Sequence, residues 1–210
     1  MNLWLISHFL VAGLFLSSSA LTPEECQPLV TPLSLADPSM MYGRWSVIMG
    51  YSDLNAIMKI TESSWKNISA SPSSPNGAVI TQEEKMNGTC FGYNVNVTID
   101  GNTLSVKFAN ISLVTHLLPT CDGCLLFNIN STARNSDKIL QMMNINVNIT
   151  GEEVKFHFLY LMARESTLKD SDMEHFKKQA SCLGFSREPD FLYDPKNGFC
   201  AEGEGIKMPF

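Results

Sequence analysis

The chain has 210 residues and a formal net charge of −6 at neutral pH, and its lysines and arginines are scattered along it. Proteins that bind nucleic acid concentrate basic residues in patches or stripes, so this charge pattern excludes nucleic acid as an expected partner. Hydrophobic residues make up 44% of the sequence, which is enough for the core of a globular domain.

The first twenty residues contain no Lys, Arg, Asp or Glu and hold an apolar stretch from about Leu3 to Leu16. This pattern predicts a signal peptide over residues 1–20, cleaved after Ala20, so that the mature chain begins at Leu21. A membrane anchor is the alternative, but the stretch is shorter than the roughly 20 residues of a spanning helix, and no second one follows. We therefore expect a secreted protein without membrane insertion.

Residues 21–210 have the length of one domain, and no repeat or long linker divides them. The leader directs them to an oxidising compartment, where an even number of cysteines implies a disulfide framework. The six cysteines are Cys26, Cys90, Cys121, Cys124, Cys182 and Cys200.

Asn-x-Ser/Thr sequons occur six times, and none has proline in the middle. They predict a glycoprotein of an extracellular fluid or plasma. The acceptor residues are Asn67, Asn87, Asn96, Asn110, Asn130 and Asn148.

Short runs rich in Val, Ile, Phe, Tyr and Thr fill the chain from Gly43 to about Arg164, with Asn-Gly, Asp-Gly and Pro between them. This is the composition of strands joined by turns. Residues 93–99 alternate strictly between apolar and polar side chains. After an Asp-Gly turn, Leu104, Val106 and Phe108 continue the alternation, which predicts an antiparallel hairpin with one buried face.

The sequons give an independent test of which side chains face inward, because a glycan-bearing Asn must face solvent and its immediate strand neighbours then face inward. The sequons at Asn96, Asn130 and Asn148 agree with the apolar alternation. Asn67 and Asn110 do not, because the same rule places Trp65 and Phe108 outside. We therefore expect a bulge or a strand end near these two sites.

Residues 153–164 form the last predicted strand, and the apolar spacing then becomes helical. Ser171 and Glu174 have the spacing of a capping box, and Gly184 marks the helix end. The sequence therefore predicts an all-β fold: an eight- to nine-stranded antiparallel up-and-down barrel with a C-terminal α-helix packed outside. Residues 133–150 either add a strand or lengthen a hairpin.

Gly43-Arg44-Trp45 at the first strand, a lone Arg164 at the end of the last strand, and a helix carrying Cys182 together resemble the lipocalin family. The resemblance implies that the Trp packs across the closed end of the barrel and that the Arg covers it. It also implies a cavity for small ligands.

The cysteine arrangement is similar to that of the alpha-1-acid glycoprotein and apolipoprotein M group of lipocalins. The resemblance implies the disulfides Cys26–Cys182 and Cys90–Cys200. The C-terminal segments 180–185 and 188–194 are most similar to the fish members of this group, which include tributyltin-binding and pufferfish saxitoxin- and tetrodotoxin-binding proteins. Those pufferfish proteins resemble two such barrels in tandem, whereas this chain has one.

Three features have a chemical and a structural interpretation. Cys121 and Cys124 have the spacing of a redox dithiol, but the Asp-Gly between them suits a tight turn closed by a local disulfide. His116, His157 and His175 lack the spacing of a zinc site, so we expect no metal. Glu83, Glu84 and Asp100 could neutralise a cationic ligand, although a solvated turn or rim is the expectation we prefer.

The sequence thus predicts a monomeric carrier of a small hydrophobic or amphipathic ligand, without cofactor or catalysis. One alternative is an immune-modulating plasma glycoprotein that acts through its surface and glycans. The other is a lipid-metabolising enzyme of the lipocalin type, which requires a free thiol. Ligand-lining residues predicted from strand parity are Tyr93, Val95, Phe108, Phe127, Phe158 and Tyr160. Trp45 and Trp65 are further aromatic candidates for the lining.

All six cysteines should be oxidised in the secreted protein, with Cys121 bonded to Cys124 and the two long bridges as the resemblance implies. Alkylation without prior reduction should then label no cysteine, and peptide mapping should recover the three pairs. A stoichiometric label on any one cysteine would contradict this and favour the enzyme.

Overall fold

The computed structural model describes residues 21–108, 110–134 and 153–208, with only the backbone for residues 55 and 108. The predicted signal peptide, the Asn148 sequon and residues 135–150 lie outside these described ranges, as does residue 109.

Eight antiparallel strands form a closed barrel. Each strand pairs with the next along the chain, and the first strand also pairs with the eighth, so the sheet returns to its starting edge. This confirms the predicted up-and-down barrel. The strands are β1 Gly43–Ser52, β2 Thr61–Ala70, β3 Gly77–Met86, β4 Thr89–Asp100, β5 Thr103–Phe108, β6 Ile111–Leu118, β7 Cys124–Arg134 and β8 Glu153–Ala163.

Two short strands attach the C-terminal segment to the barrel wall. β9 (Phe191–Leu192) pairs with β1, and β10 (Ile206–Lys207) pairs with β4 in parallel. The carboxylate of Glu83 accepts hydrogen bonds from the backbone N–H groups of Gly203 and Gly205. The chain after the barrel is therefore anchored along one side of the wall.

The helix predicted after the barrel is α3 (Asp170–Cys182), which begins two residues before the expected start. Its N-cap is Lys169, whose side chain makes no capping hydrogen bond, so Ser171 lies inside the first turn. Asp170 and Asp172 compensate there, because carboxylates are favourable at the positive end of a helix. The predicted stop is correct, with Gly184 at a positive φ of 92°.

Within the described residues, two further α-helices were not predicted from the sequence. α1 (Pro23–Val30) precedes the barrel and has a capping box of the kind expected for α3: the Thr22 hydroxyl accepts from the Glu25 N–H, and the Glu25 carboxylate accepts from the Thr22 N–H. α2 (Asn55–Ile60) connects β1 and β2. No helix among the described residues is long and apolar enough to span a membrane.

The outer face of β1, β7 and β8 is apolar because α3 covers it. Phe176 and Ala180 of α3 pack on Leu126, Leu159 and Leu161, all of which face away from the barrel interior. This second core explains why β8 has consecutive buried apolar residues instead of strict alternation. The disulfide Cys26–Cys182 ties α3 to α1, and Cys90–Cys200 ties the C-terminal segment to β4.

One end of the barrel is filled by side chains around Trp45. Its indole N–H donates to the Met41 carbonyl at 2.7 Å, and the Arg164 guanidinium stacks on its ring at 3.6 Å from the ring centroid. Arg164 also donates to the carbonyls of Tyr42 and Arg44. The expected roles of Trp45 and Arg164 are therefore seen in the structure, where both belong to the closed end.

Gly43 shows why no larger residue fits beside this Arg. Its φ is 101°, and a Cβ there would lie 2.4 Å from an Arg164 guanidinium nitrogen. Glycine at this position therefore serves both the backbone conformation and the seating of Arg164.

Trp45→Ala should lower the free energy of unfolding by about 3–5 kcal/mol, because it leaves a cavity in the filled end of the barrel. Arg164→Ala should cost less, since the guanidinium is partly exposed to solvent. Denaturant unfolding of both variants measures this. If both variants unfold at the wild-type midpoint, Trp45 and Arg164 do not hold the closed end together.

Candidate ligand cavity

The opposite part of the barrel interior contains a cavity of about 240 Å³. It is lined mainly by aliphatic and aromatic side chains from the inner faces of β1 to β8. Its wall includes Tyr93, Val95, Phe127, Phe158 and Tyr160, which are five of the six residues that strand parity selected. The Phe108 side chain lies outside the described part of the structure, whereas its strand neighbour Val106 lines the cavity.

The strand parity behind this selection is confirmed on β4 and β7. Asn94 and Asn96 are exposed while Tyr93 and Val95 line the cavity. Asn130 is likewise exposed, and Phe127 and Ile129 face the interior. An exposed Asn therefore predicts an inward neighbour on each of these strands.

The cavity is also lined by parts of the chain that were not predicted to face it. Leu54, Ile57 and Met58, at and within α2, line it together with Met208 beyond β10. α2 has only six residues, which is too short for a helical period to be recognised. Met208 is placed by the pairing of β10 with β4, a contact between distant parts of the sequence.

A polar cluster, consisting of Ser64, Lys66, Gln82 and Glu84, lines one wall of the cavity. The Lys66 ammonium donates to the Gln82 side-chain oxygen, and the Gln82 amide donates to a Glu84 carboxylate oxygen. The Ser64 hydroxyl donates to the same oxygen at 3.4 Å. The cluster therefore places a cation and an anion in the cavity, separated by an amide.

Burial is the largest cause of the pKa shifts of the ionisable side chains around this polar cluster. Lys66 is 6% exposed, and desolvation lowers its pKa to about 8, an effect that the nearby Glu84 charge opposes. The ammonium lies 5.7 Å from the centroid of the Tyr160 ring. Desolvation, and secondly the Glu84 charge, raises the pKa of both Tyr93 and Tyr160, so both phenols stay protonated near neutral pH.

Lys66 was not among the predicted lining residues, although the sequence contains a signal that identifies it. Asn67 is a sequon, so the parity rule places Lys66 inward, as the structure does. The bulge or strand end expected near Asn67 is wrong, because β2 continues to Ala70 and pairs regularly with β3 through this stretch. Asn110, by contrast, does lie at a strand end, between β5 and β6. Trp65 faces outward and does not line the cavity.

Trp65 is nevertheless only 1% exposed, because the C-terminal segment covers it. Its indole N–H donates to the Cys200 carbonyl at 2.8 Å, and the Arg44 guanidinium lies 3.9 Å from the centroid of its ring system. The disulfide Cys90–Cys200 holds this segment in place. Trp65 is therefore buried on the outer face of the barrel because the C-terminal segment covers it, which strand parity does not predict.

The solvated position expected for Glu83, Glu84 and Asp100 is correct only for Asp100, which is exposed at the β4–β5 turn. Glu84 lines the cavity. Glu83 faces outward but is only 4% exposed, because the C-terminal segment covers it and donates backbone N–H hydrogen bonds to its carboxylate.

The cysteines are all paired, in the three pairs expected. Cys121 and Cys124 flank the β6–β7 turn, where Gly123 has a positive φ of 72°. Within the described ranges, one group of possible metal ligands occurs, namely Cys90, Cys200 and Glu204. Two of these three are bonded to each other, so they do not form a metal site.

The sequons within the described ranges lie at the surface. Asn87, Asn96, Asn110 and Asn130 are exposed, and Asn67 is partly exposed. Each is therefore accessible to a glycan, and none lines the cavity.

Solved structures with a similar fold are lipocalins. The siderocalin Ex-FABP matches 74% of this chain and 95% of its own, with a TM-score of 0.54 and 15% sequence identity. An odorant-binding protein matches 73% of this chain and 88% of its own, with a TM-score of 0.51 and 13% identity. The bovine lipocalin allergen Bos d 2 matches 70% of this chain and 88% of its own, with a TM-score of 0.50 and 18% identity. The fold is that of the lipocalins.

A sequence relative is saxitoxin and tetrodotoxin-binding protein 1 of Takifugu pardalis, which is 24% identical over 203 residues. The match covers 85% of this chain and 45% of the relative, so the chain spans less than half of that protein. No protein-family model matches the chain.

The buried Lys66 should make stability depend on pH in a definite direction. Its folded-state pKa is about 8 against 10.5 for a free lysine, so the unfolded chain binds more protons between these values. The contribution of Lys66 to the free energy of unfolding should therefore rise between about pH 8 and pH 10, by on the order of 2 kcal/mol, measured as the difference from a variant that lacks this lysine.

Denaturant unfolding of the wild type, Lys66→Met and Lys107→Met across this pH range tests the assignment. The rise should disappear in Lys66→Met and persist in Lys107→Met, because Lys107 is exposed on β5. An equal rise in all three proteins would show that Lys66 is not the titrating group.

Proposed function

We propose that this chain, which has the lipocalin fold, is a secreted glycoprotein that carries one small hydrophobic or amphipathic ligand inside its barrel. The observation that carries the proposal is the cavity of about 240 Å³ in a barrel whose other end is filled. Burial of apolar ligand surface in such a cavity is favourable because it releases the surface from water. Tyr93, Val95, Phe127, Phe158 and Tyr160 are its proposed ligand contacts.

The comparisons support carriage of a small molecule. The pufferfish relative is named for two toxins that it binds, and one structural neighbour is named as an odorant-binding protein. Toxin binding is one form of the proposed carriage, and identification of the ligand retained by the purified protein tests it.

Secretion is proposed from three independent features. The N-terminal apolar segment has the pattern of a signal peptide, the cysteines form three disulfides, and exposed sequons occur on several strands and turns. The accessible sequons also favour the second candidate, an immune-modulating plasma glycoprotein that acts through its surface. The enzyme hypothesis requires a free thiol, and the pairing of all six cysteines argues against it.

Filling the cavity should abolish carriage without unfolding the protein. Val95→Trp places a large side chain in the cavity, so an environment-sensitive apolar probe that binds the wild type about once per chain should no longer bind. The matched control is Asn94→Trp, which adds the same side chain to the exposed face of the same strand and should bind normally.

Titration calorimetry with the probe measures both effects, and the wild-type binding should show a negative ΔCp from apolar burial. Circular dichroism confirms that each variant is folded. Normal probe binding by folded Val95→Trp would place the site outside the barrel, and the surface-acting glycoprotein would then be the better hypothesis.

A further inference from the structure

The charged wall of the cavity is unusual for a site that holds an apolar ligand. A buried ammonium is unfavourable unless it is paired and hydrogen-bonded, and burial alone favours its neutral form. Lys66 is buried on the inner face of β2, yet its side chain reaches into the cavity instead of towards solvent. A group placed there at such a cost calls for a functional explanation.

The two charges of this wall are compensated unequally. The Glu84 carboxylate accepts from the Ser64 hydroxyl and from the Gln82 amide. The Lys66 ammonium has three donors and gives one of them to the neutral oxygen of Gln82. The wall therefore presents to the cavity a cation that is less well satisfied than the anion beside it.

The neighbours of the ammonium favour an oxygen acceptor as its partner. The titratable groups facing Lys66 are Glu84 of β3, Tyr93 of β4 and Tyr160 of β8, and all three line the same cavity. Tyr93 already interacts with the Gln82 side chain, whereas the protonated Tyr160 phenol is neutral and able to donate a hydrogen bond. An incoming anionic oxygen thus meets the Lys66 ammonium and the Tyr160 phenol, and the Glu84 carboxylate beside them already accepts two hydrogen bonds.

We propose that the polar cluster is a head-group subsite in which Lys66, assisted by Tyr160, binds the carboxylate of an acidic amphipathic ligand. The apolar part of the ligand lies against the aromatic and aliphatic wall that includes Val95, Phe127 and Phe158. This assignment rests on the proposed carrier function and names the chemical class of its ligand.

Three probes with the same apolar chain distinguish the possible head groups: decanoate, neutral decanol and cationic decylammonium. The wild type should bind decanoate more tightly than decanol, and decylammonium most weakly. Lys66→Met keeps most of the apolar stem of the side chain and removes its charge, so it should weaken decanoate binding by about tenfold or more and change decanol binding far less. Tyr160→Phe should weaken decanoate binding by a smaller factor.

The pH profile supplies a readout that a structural role of Lys66 would not produce. Decanoate is ionised throughout the range, whereas Lys66 loses its proton as the pH rises through about 8. Decanoate affinity should therefore be constant below that pH and fall above it by up to about tenfold per pH unit. Decanol affinity should not change, and Lys66→Met should show no fall. Lys107→Met is the control and should behave as the wild type does.

The outcomes separate the subsite from the carrier function. If Lys66→Met binds decanoate as the wild type does, or if decylammonium is the tightest of the three, Lys66 is not the head-group site, although carriage stands. If the wild type binds none of the three probes while an apolar fluorescent probe still enters the barrel, the subsite is again wrong. If nothing enters the barrel, the carrier function fails and the subsite fails with it.

Discussion

Closure of the sheet is the constraint on which the rest of this structure depends. Because β1 pairs with both β2 and β8, every strand has an inner and an outer face, and side chains alternate between them. The inner faces of eight strands enclose more space than their side chains fill. The chain fills one end with Trp45 and its neighbours and leaves the cavity at the other.

Closure also creates an outer surface that the chain covers only in part. α3 covers the outer face of β1, β7 and β8, and the C-terminal segment covers Trp65 on β2. Each cover is fixed by a disulfide that joins residues more than a hundred positions apart in sequence, Cys26–Cys182 and Cys90–Cys200. In the chain-entropy model, bridges closing such long loops contribute the most, roughly 4–5 kcal/mol each.

The strand region was predictable because its alternation is local. The hairpin of β4 and β5 follows from residues 93–108, and the exposed Asn96 and Asn130 mark the outer face independently of hydropathy. Five of the six predicted lining residues face the cavity for the same reason. Trp45 and Arg164 required the family resemblance, since their contact joins the two ends of the strand region.

Most features that escaped prediction depend on contacts between distant residues or on very short elements, and Lys66 is the exception. The residues around Trp65 on β2 do not indicate that this outward side chain is buried, because it is covered by the distant C-terminal segment around Cys200. Glu83 and Glu84 are identical neighbours in the sequence, yet their positions differ. Glu83 lies on the outer face and accepts hydrogen bonds from backbone N–H groups of the C-terminal segment, whereas Glu84 lines the cavity. Lys66 resembled an ordinary surface lysine because a charged residue is rarely assigned to an interior.

The cavity therefore combines a large apolar wall with one compact polar cluster, which is the composition expected of a site for an amphipathic ligand. Binding in it needs no catalytic group. Orientation of the ligand comes from Lys66 and its neighbours, and the remaining free energy comes from burial of apolar surface.

Native mass spectrometry of the purified protein, before and after treatment with a glycosidase, tests the central claim most directly. Carriage inside the barrel predicts a retained small molecule at one per chain in the wild type, lost in Val95→Trp and kept in Asn94→Trp. The same retained mass in all three proteins, or a molecule that leaves with the glycans, would contradict a ligand held in the barrel.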